Sequence, residues 1–298
     1  MIGGSKPSHF CRIAAGTSLA PALTVRAFTL LALMLTASAA SADHGRVRVR
    51  HGDVTRTLAL DSVLGAGGVG VVYRAHDIAH PAQRFAVKVL RPQHIGNPHF
   101  DTLATEHRVL AAMAEHDLGF PKSFGPGEMV GAPTRAPAFA MEMMPGRPLG
   151  GAGPGRGWDK PLHLAPGKAV RVARRLLDQL SALHASGYVH GDVHTGNTSI
   201  NAELHSWTAT LLDFGTSAPH TAQGAKDDVI NASRVLLATL TGKRFDDPSA
   251  LVDAESFHAA VSGRRITLGS ILARAEAGGY ATAAELHDAL EPFAPMAP

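Results

Sequence analysis

The sequence contains few aromatic residues and a single cysteine. Phe, Trp and Tyr make up 5% of its 298 residues, so a hydrophobic core has to be built mainly from Ala, Leu and Val. The only cysteine, Cys11, allows no disulfide within the chain. Apolar residues amount to 45% and charged residues to 18%. These proportions are typical of a globular chain and exclude a disordered one.

The chain also lacks an excess of basic charge outside its amino terminus. Its formal charge is +3, and residues 1–42 supply all of it through Lys6, Arg12 and Arg26, with no acidic residue. Without those three, the Lys and Arg residues equal the 25 Asp and Glu residues in number. Because nucleic-acid binding requires a basic face, we expect no nucleic-acid partner.

The apolar run Ala27–Ala42 holds 16 residues, fewer than the roughly 20 of a membrane-spanning helix. It follows a positively charged region and ends in small residues, which is typical of a secretory signal peptide. We therefore predict a signal peptide or membrane anchor over 1–42, implying export or membrane association, and a linker over 43–57. Translation from Met34 would remove the signal and leave the protein cytoplasmic, and an unstructured extension is the remaining alternative.

The first motif is a glycine triplet, Gly65, Gly67 and Gly70, in the stretch LGAGGVGVV that starts at Leu64 and includes Val72. Runs typical of β-strands flank it on both sides. Between a strand and a helix, G-x-G-x-x-G would indicate a dinucleotide-binding fold. Between two strands, the glycines let the backbone cover phosphate oxygens. The triplet by itself leaves a phosphate site and a simple turn both open.

A lysine interrupts the next apolar strand. The run Phe85–Leu90 has one charge, Lys88, and a buried ammonium needs an anionic partner. ATP phosphates and a carboxylate are the candidates. The following segment has helical periodicity and makes Glu106 the expected carboxylate, with Asp101 and Glu115 as less well-placed alternatives.

The stretch YVHGDVHTGN, residues 188–197, has the spacing H-x-D-x-x-x-x-N. This spacing, which includes His190, Asp192 and Asn197, is that of a phosphotransferase catalytic loop. The sequence LLDFG begins 21 residues after His190 and supplies a D-F-G triplet.

Taken in this order, the motifs resemble those of the protein-kinase superfamily over about residues 58–293. The resemblance implies an α+β, two-lobed fold. A small β-rich N-lobe with one helix and the hinge would span 58–144, and a larger, mainly helical C-lobe would span 145–295. The glycine loop and the A-V-K strand are similar to bacterial Ser/Thr protein kinases, whereas the H-G-D-x-H-x-G-N loop resembles aminoglycoside and choline phosphotransferases.

The resemblance also implies ATP and Mg²⁺ as cofactors and assigns roles to residues. Asp192 would orient the acceptor hydroxyl, and Lys88, held by Glu106, would bind the α- and β-phosphates. His194 either helps to neutralise the γ-phosphate or is a solvated loop residue. Expected Mg²⁺ ligands are Asn197 and Asp213. The expected ATP-binding residues, with Met141 as gatekeeper, are Leu64, Gly65, Gly67, Gly70, Val72, Ala86, Lys88, Met141, Glu142 and Met144.

Three linked features of protein kinases are missing together: the arginine of the catalytic loop, the long activation segment that ends in A-P-E, and the arginine that pairs with the glutamate of that triplet. Gly191 stands where most of them have an arginine, and only 12 residues separate Gly215 from Asp228, where the next helix is expected to begin. There is no A-P-E triplet, and Gly279 occupies the place of the arginine that would pair with its glutamate. A shortened activation segment of this kind predicts an enzyme that is not switched on by phosphorylation of that segment.

The sequence leaves three functions open. Overall resemblance favours a Ser/Thr protein kinase that transfers the γ-phosphoryl group to a protein hydroxyl. A small-molecule hydroxyl is the close alternative, because of the catalytic-loop motif. An ATP-binding pseudokinase scaffold is the alternative without enzymatic activity.

Overall fold

The computed structural model describes residues 44–97, 101–131, 135–151, 158–201 and 208–294, all within one compact unit, Asp43–Pro298. The predicted signal or anchor segment, 1–42, lies outside the described residues. Within these ranges, none of the helices combines the length and apolar character needed to cross a bilayer.

Six antiparallel strands in the amino-terminal part close into a barrel with the order β1-β2-β3-β4-β6-β5. A single helix, α1 (Thr102–Ala112), lies between β4 and β5 in the chain. The strands are β1 (Arg46–His51), β2 (Val54–Ala66), β3 (Gly70–Asp77), β4 (Arg84–Leu90), β5 (Ser123–Val130) and β6 (Pro137–Glu142).

The prediction of a linker over 43–57 was wrong, because β1 and the start of β2 fall within it. The β1 sequence RVRVRH alternates strictly: Val47 and Val49 are buried in the barrel core, and the intervening arginines are exposed. Such alternation is the pattern of a half-buried strand. Glycine lets β5 approach β1 closely, since a Cβ on Gly127 would lie 2.5 Å from the carbonyl oxygen of Arg48.

The two faces of β4 serve two different cores. Phe85, Val87 and Val89 point into the barrel. The alternate residue Ala86 belongs to the larger core that continues into the carboxy-terminal part. Because side chains two apart share a face of a strand, Lys88 stands on the same face as Ala86.

The carboxy-terminal part is built around two 20-residue helices, α2 (Pro166–Ala185) and α3 (Ala222–Thr241). The hydroxyl of Thr221 caps α3, and Gly242 ends it in the left-handed conformation. The shorter helices are α4 (Pro248–Ala254), α5 (Leu268–Glu276) and α6 (Ala283–Ala289). The short strands are β7 (Arg147–Pro148), β8 (Tyr188–Val189), β9 (Thr198–Asn201), β10 (Thr208–Leu211), β11 (Ala218–Pro219), β12 (His258–Val261) and β13 (Arg264–Thr267).

The α+β class with a small β-rich part and a larger helical part is confirmed. Helix α3 begins at Ala222 rather than near Asp228, which leaves only residues 216–221 between the D-F-G triplet and the helix. The activation segment is therefore even shorter than the sequence predicts.

Candidate active site

The loop between β8 and β9 holds the proposed catalytic residues together. The side-chain amide of Asn197 donates to the backbone carbonyl and to Oδ2 of Asp192, both at 3.0 Å. Nδ1 of His194 accepts the backbone N–H groups of Gly196 at 3.0 Å and Asn197 at 3.1 Å. An Nδ1 that accepts two hydrogen bonds leaves the ring proton on Nε2. That nitrogen faces Asp192 Oδ2 at 3.5 Å.

This arrangement keeps Asp192 ionised and accessible. The hydrogen bond from His194 outweighs the opposing effect of burial and lowers the pKa of Asp192. Its side chain is 47% exposed, so a hydroxyl can approach it from solvent. With Nδ1 accepting two loop N–H groups and Nε2 facing Asp192, the geometry of His194 suits the positioning of Asp192.

A residue of α3, Asp228, anchors this loop and was missed as a site residue by sequence reasoning. Its carboxylate is buried and accepts the backbone N–H groups of His190 at 2.7 Å and Gly191 at 2.9 Å. It also lies 3.0 Å from Nε2 of His184. The available signal was a carboxylate on the buried face of a helix, which needs partners when desolvated.

The backbone conformation at Gly191, where most protein kinases have an arginine, itself favours glycine. Its φ is +78°, and a Cβ there would lie 3.0 Å from the carbonyl oxygen of Thr216. Left-handed backbone is costly for residues with a Cβ. An arginine is therefore disfavoured by the backbone of this loop.

His190 connects the loop to the D-F-G triplet. Its Nδ1 accepts the N–H of Asp192, and its Nε2 donates to the carbonyl of Leu212, both at 3.2 Å. Its ring lies 4.9 Å from the ring of Phe214. Burial lowers the pKa of His190, which favours the neutral ring that these two hydrogen bonds require.

Lys88 joins two carboxylates, those of Glu106 in α1 and Asp213 in the D-F-G triplet. Its Nζ lies 2.9 Å from Glu106 and 2.5 Å from Asp213. Burial disfavours the ammonium, but the two carboxylates outweigh that effect and raise the pKa of Lys88. Burial likewise opposes the ionisation of Asp213, but Lys88 outweighs it and lowers the pKa of Asp213. Asp101 and Glu115 are exposed and make no contact with Lys88.

Glu106 is enclosed more completely than its partners. It is fully buried, and burial raises its pKa against the opposing charge of Lys88. Its second oxygen, Oε1, has no hydrogen-bond partner among the described residues. The lysine is therefore the main stabilising contact of this carboxylate, which makes the pair interdependent.

The expected nucleotide-binding side chains share one face of the sheet. Val72 is paired with Lys88 across β3 and β4, and Met141 is paired with Ala86 across β6 and β4. Directly opposed residues in antiparallel strands lie on the same face. Leu64 lies at a register irregularity of β2 and is 43% exposed. The structure thus brings together the residues that would contact an adenine ring, with the backbone of Glu142 and Met144 following at the end of β6.

Two residues that sequence reasoning did not select hold the glycine-rich loop. Nε of Arg91 donates to the carbonyl of Gly67 at 2.9 Å, and its backbone N–H donates to Val69 at 2.9 Å. A ring nitrogen of His94 lies 3.1 Å from the carbonyl of Gly68. The loop tip is therefore fixed to the segment that follows β4.

The residues expected to hold Mg²⁺ are suited to that ion. Asn197 and Asp213 provide hard oxygen ligands. Lys88 and the backbone N–H of Gly215 both donate hydrogen bonds to Oδ1 of Asp213. Over the described ranges, no group of three or more His, Cys, Asp or Glu could hold a metal by itself. A site of two oxygen ligands fits Mg²⁺, which usually completes its coordination with water and phosphate oxygens.

The short activation segment is held by regular structure. Strand β11 pairs with β8 through Ala218 and Pro219. The N–H of His220 then donates to Gly187 at 2.8 Å, and Thr221 caps α3. These contacts connect the segment to β8 and to the start of α3.

Comparison with known proteins gives a consistent result. No family model matches the chain. It is 28% identical over 156 residues to the serine/threonine-protein kinase pkn2 of Myxococcus xanthus, a match that covers 51% of this chain and 17% of that relative. The chain therefore spans only a small part of the length of this relative.

Solved structures show the same fold at low identity. The PknI kinase domain of Mycobacterium tuberculosis has a TM-score of 0.57 and 18% identity, covering 79% of this chain and 96% of that domain. Vaccinia related kinase 3 has a TM-score of 0.55 and 19% identity, with coverages of 90% and 98%. The chain thus has the fold of a kinase domain and is similar in sequence, over about half of its length, to part of a serine/threonine-protein kinase.

Proposed function

We propose that this chain is an ATP- and Mg²⁺-dependent phosphotransferase that acts on a hydroxyl group. The observation that carries the proposal is the cluster of Lys88 with Glu106 at 2.9 Å and Asp213 at 2.5 Å. The loop that presents Asp192 and Asn197 supplies the other groups. Phosphoryl transfer depends mainly on positioning and charge neutralisation, and these residues supply both.

Each residue has one task in this proposal. Lys88 binds the α- and β-phosphates of ATP, and Glu106 holds the ammonium group of Lys88 in place. Asn197 and Asp213 would hold Mg²⁺, which supplies positive charge at the phosphates when bound. Asp192 takes the proton of the acceptor hydroxyl. The hydroxyl oxygen bonds to the γ-phosphorus, and the bond between that phosphorus and the bridging oxygen of ADP breaks. His194 orients Asp192.

A protein Ser or Thr hydroxyl is the favoured acceptor. The support is the similarity to pkn2 and to the PknI kinase domain. A small-molecule hydroxyl is the second candidate, and a specific observation favours it. Only residues 216–221 separate the D-F-G triplet from α3, so the chain lacks the longer segment on which protein kinases lay a substrate peptide.

The test is the intact mass of the full chain, purified in mild detergent and incubated with Mg-ATP. We expect added phosphate in the wild type and none in an Asp192→Ala variant. A wild type that binds ATP and phosphorylates only small alcohols would establish the second candidate. A chain that binds ATP and transfers phosphate to neither class of acceptor would contradict the proposal and support a scaffold.

A further inference from the structure

Three arginines of α2 line one cavity in the carboxy-terminal part of the chain. The cavity has a volume of about 310 Å³ and lies between α2, the start of β10 and α6. Residues three and four apart share a face of a helix, so the three guanidinium groups converge on this space. None of the lining residues belongs to the candidate active site. They are Arg171, Arg174, Arg175, Asp178, Thr208 and His287.

One of the three arginines is already paired, whereas the other two are not. Nε of Arg174 donates to Nε2 of His287 at 3.2 Å, and its Nη2 forms an ion pair with Glu291. The guanidinium groups of Arg171 and Arg175 make no hydrogen bond or ion pair with any described residue. The helix therefore presents two guanidinium groups, one turn apart, whose donors are unused.

Arg175 is the more informative of these two residues, because it is partly buried. A Cβ on Gly119 would lie 3.7 Å from its Nη2 and 4.0 Å from Oγ1 of Thr210. The guanidinium group therefore lies near the face of β10 that carries Thr208 and Thr210. Thr210 is 7% exposed, and its hydroxyl has no hydrogen-bond partner among the described residues. Partial burial of a charged group without a partner is costly, so contacts within the described fold do not account for this arginine.

The charges around the cavity favour an anion. Glu291 neutralises Arg174, and Asp178 is the one carboxylate among the lining residues. Asp178 lies 3.4 Å from Nε2 of His287, on the side of the cavity next to α6. Asp288 lies 3.4 Å from the other nitrogen of that ring and is 84% exposed. Two unpaired guanidinium groups are therefore opposed by one lining carboxylate.

We propose that this cavity binds the phosphate group of a small phosphate monoester through Arg171, Arg175 and the hydroxyl of Thr208. The planar guanidinium group donates two parallel hydrogen bonds to phosphate or carboxylate oxygens. A phosphate monoester carries a charge of about −1.5 to −2 at pH 7 and three acceptor oxygens, so it can engage both free arginines and the hydroxyl. A carboxylate has one charge and two oxygens, which a single arginine already satisfies.

The size of the cavity selects a small ligand. Its volume of about 310 Å³ is near the lower end of the roughly 300–1,000 Å³ found for small-molecule sites. The inference is independent of the proposed function, because none of these groups takes part in the proposed phosphoryl transfer.

Calorimetric titration of the full chain with glycerol 3-phosphate and with inorganic phosphate tests the site. The chain is kept in mild detergent at neutral pH and low ionic strength. A saturating, non-hydrolysable ATP analogue with Mg²⁺ keeps phosphate out of the candidate active site. Acetate is the comparison anion. We expect both phosphates to bind at one site per chain, and acetate to bind at least about tenfold more weakly.

Substitutions then assign the binding to the two arginines. Arg171→Gln and Arg175→Gln should each weaken phosphate binding at least about tenfold. Arg175→Lys should recover only part of the loss, because an ammonium group keeps the charge but not the fork of donors. Neither glutamine substitution removes a side-chain contact among the described residues, so we expect both variants to fold. Arg265→Gln is the matched control, because it removes an exposed arginine of β13 that also has no ion pair with a described residue.

Three results would overturn the inference. The first is that neither phosphate binds to the wild type. The second is that acetate binds as tightly as phosphate. The third is that Arg265→Gln weakens binding as much as the substitutions in α2, which would show a general attraction of anions to surface arginines.

Discussion

Replacing Gly191 with alanine or arginine tests whether this glycine is required by the backbone. Its φ of +78° costs a residue with a Cβ about 1–2 kcal/mol. The new Cβ would also lie 3.0 Å from the carbonyl oxygen of Thr216. Thr216 cannot move away freely, since its hydroxyl donates to the His190 carbonyl at 3.2 Å. We expect either substitution to lower the free energy of unfolding by about 2 kcal/mol.

The assay is urea unfolding of the wild type and variants, with thermal unfolding as a second readout. A loss of about 2 kcal/mol corresponds to a Tm lower by about 4–8 °C for a domain of this size. The matched control is Gly187→Ala, whose φ is +87° with nothing within 4 Å of the added Cβ. It carries the backbone cost alone, so we expect a loss of about 1 kcal/mol.

Two outcomes would refute this reasoning. Gly191→Ala as stable as the wild type would show that the left-handed conformation is not required. Gly191→Arg much less stable than Gly191→Ala would show that the long side chain, rather than the Cβ, is the cause. We also expect Gly191→Arg to gain no dependence on phosphorylation, because residues 216–221 offer no loop for the arginine to bind.

Substitutions at three further positions test the cluster, the loop and the barrel. Lys88→Met should abolish phosphate transfer and cost about 3–5 kcal/mol at pH 8. Burial raises the pKa of Glu106, so in the Lys88→Met variant this carboxylate should become protonated as pH falls, and the loss of unfolding free energy should become smaller. A loss that does not change between pH 5 and pH 8 would contradict this expectation. His194→Ala should raise the pKa of Asp192 and so move the acid limb of the pH–rate profile to higher pH. His194→Asn keeps a side-chain acceptor for the loop N–H groups but removes the imidazole donor to Asp192, so it separates the two effects. Gly127→Val should displace β1 and increase hydrogen exchange over residues 46–51; unchanged protection there would mean that close approach is not required.

The sequence alone determined the elements whose signals lie within a few neighbouring residues. The glycine triplet between two strands, the lysine in the run Phe85–Leu90, the H-x-D-x-x-x-x-N loop and the D-F-G triplet are patterns of this local kind. Each constrains the backbone or needs a charged partner, so its spacing is informative by itself. Glu106 was also selected from the sequence, because helical periodicity restricts which carboxylates can reach one face, and its carboxylate lies 2.9 Å from Lys88.

Only the tertiary structure decided how distant segments meet. The alternation in β1 indicates a strand, but its place between β2 and β5 depends on the close approach that Gly127 allows. Asp228 holds two N–H groups of a loop 37 and 38 residues away, and Arg91 holds a loop 24 residues before it. Pairings of this range depend on how helices and strands pack, since burial leaves a polar group only the partners that packing brings within reach.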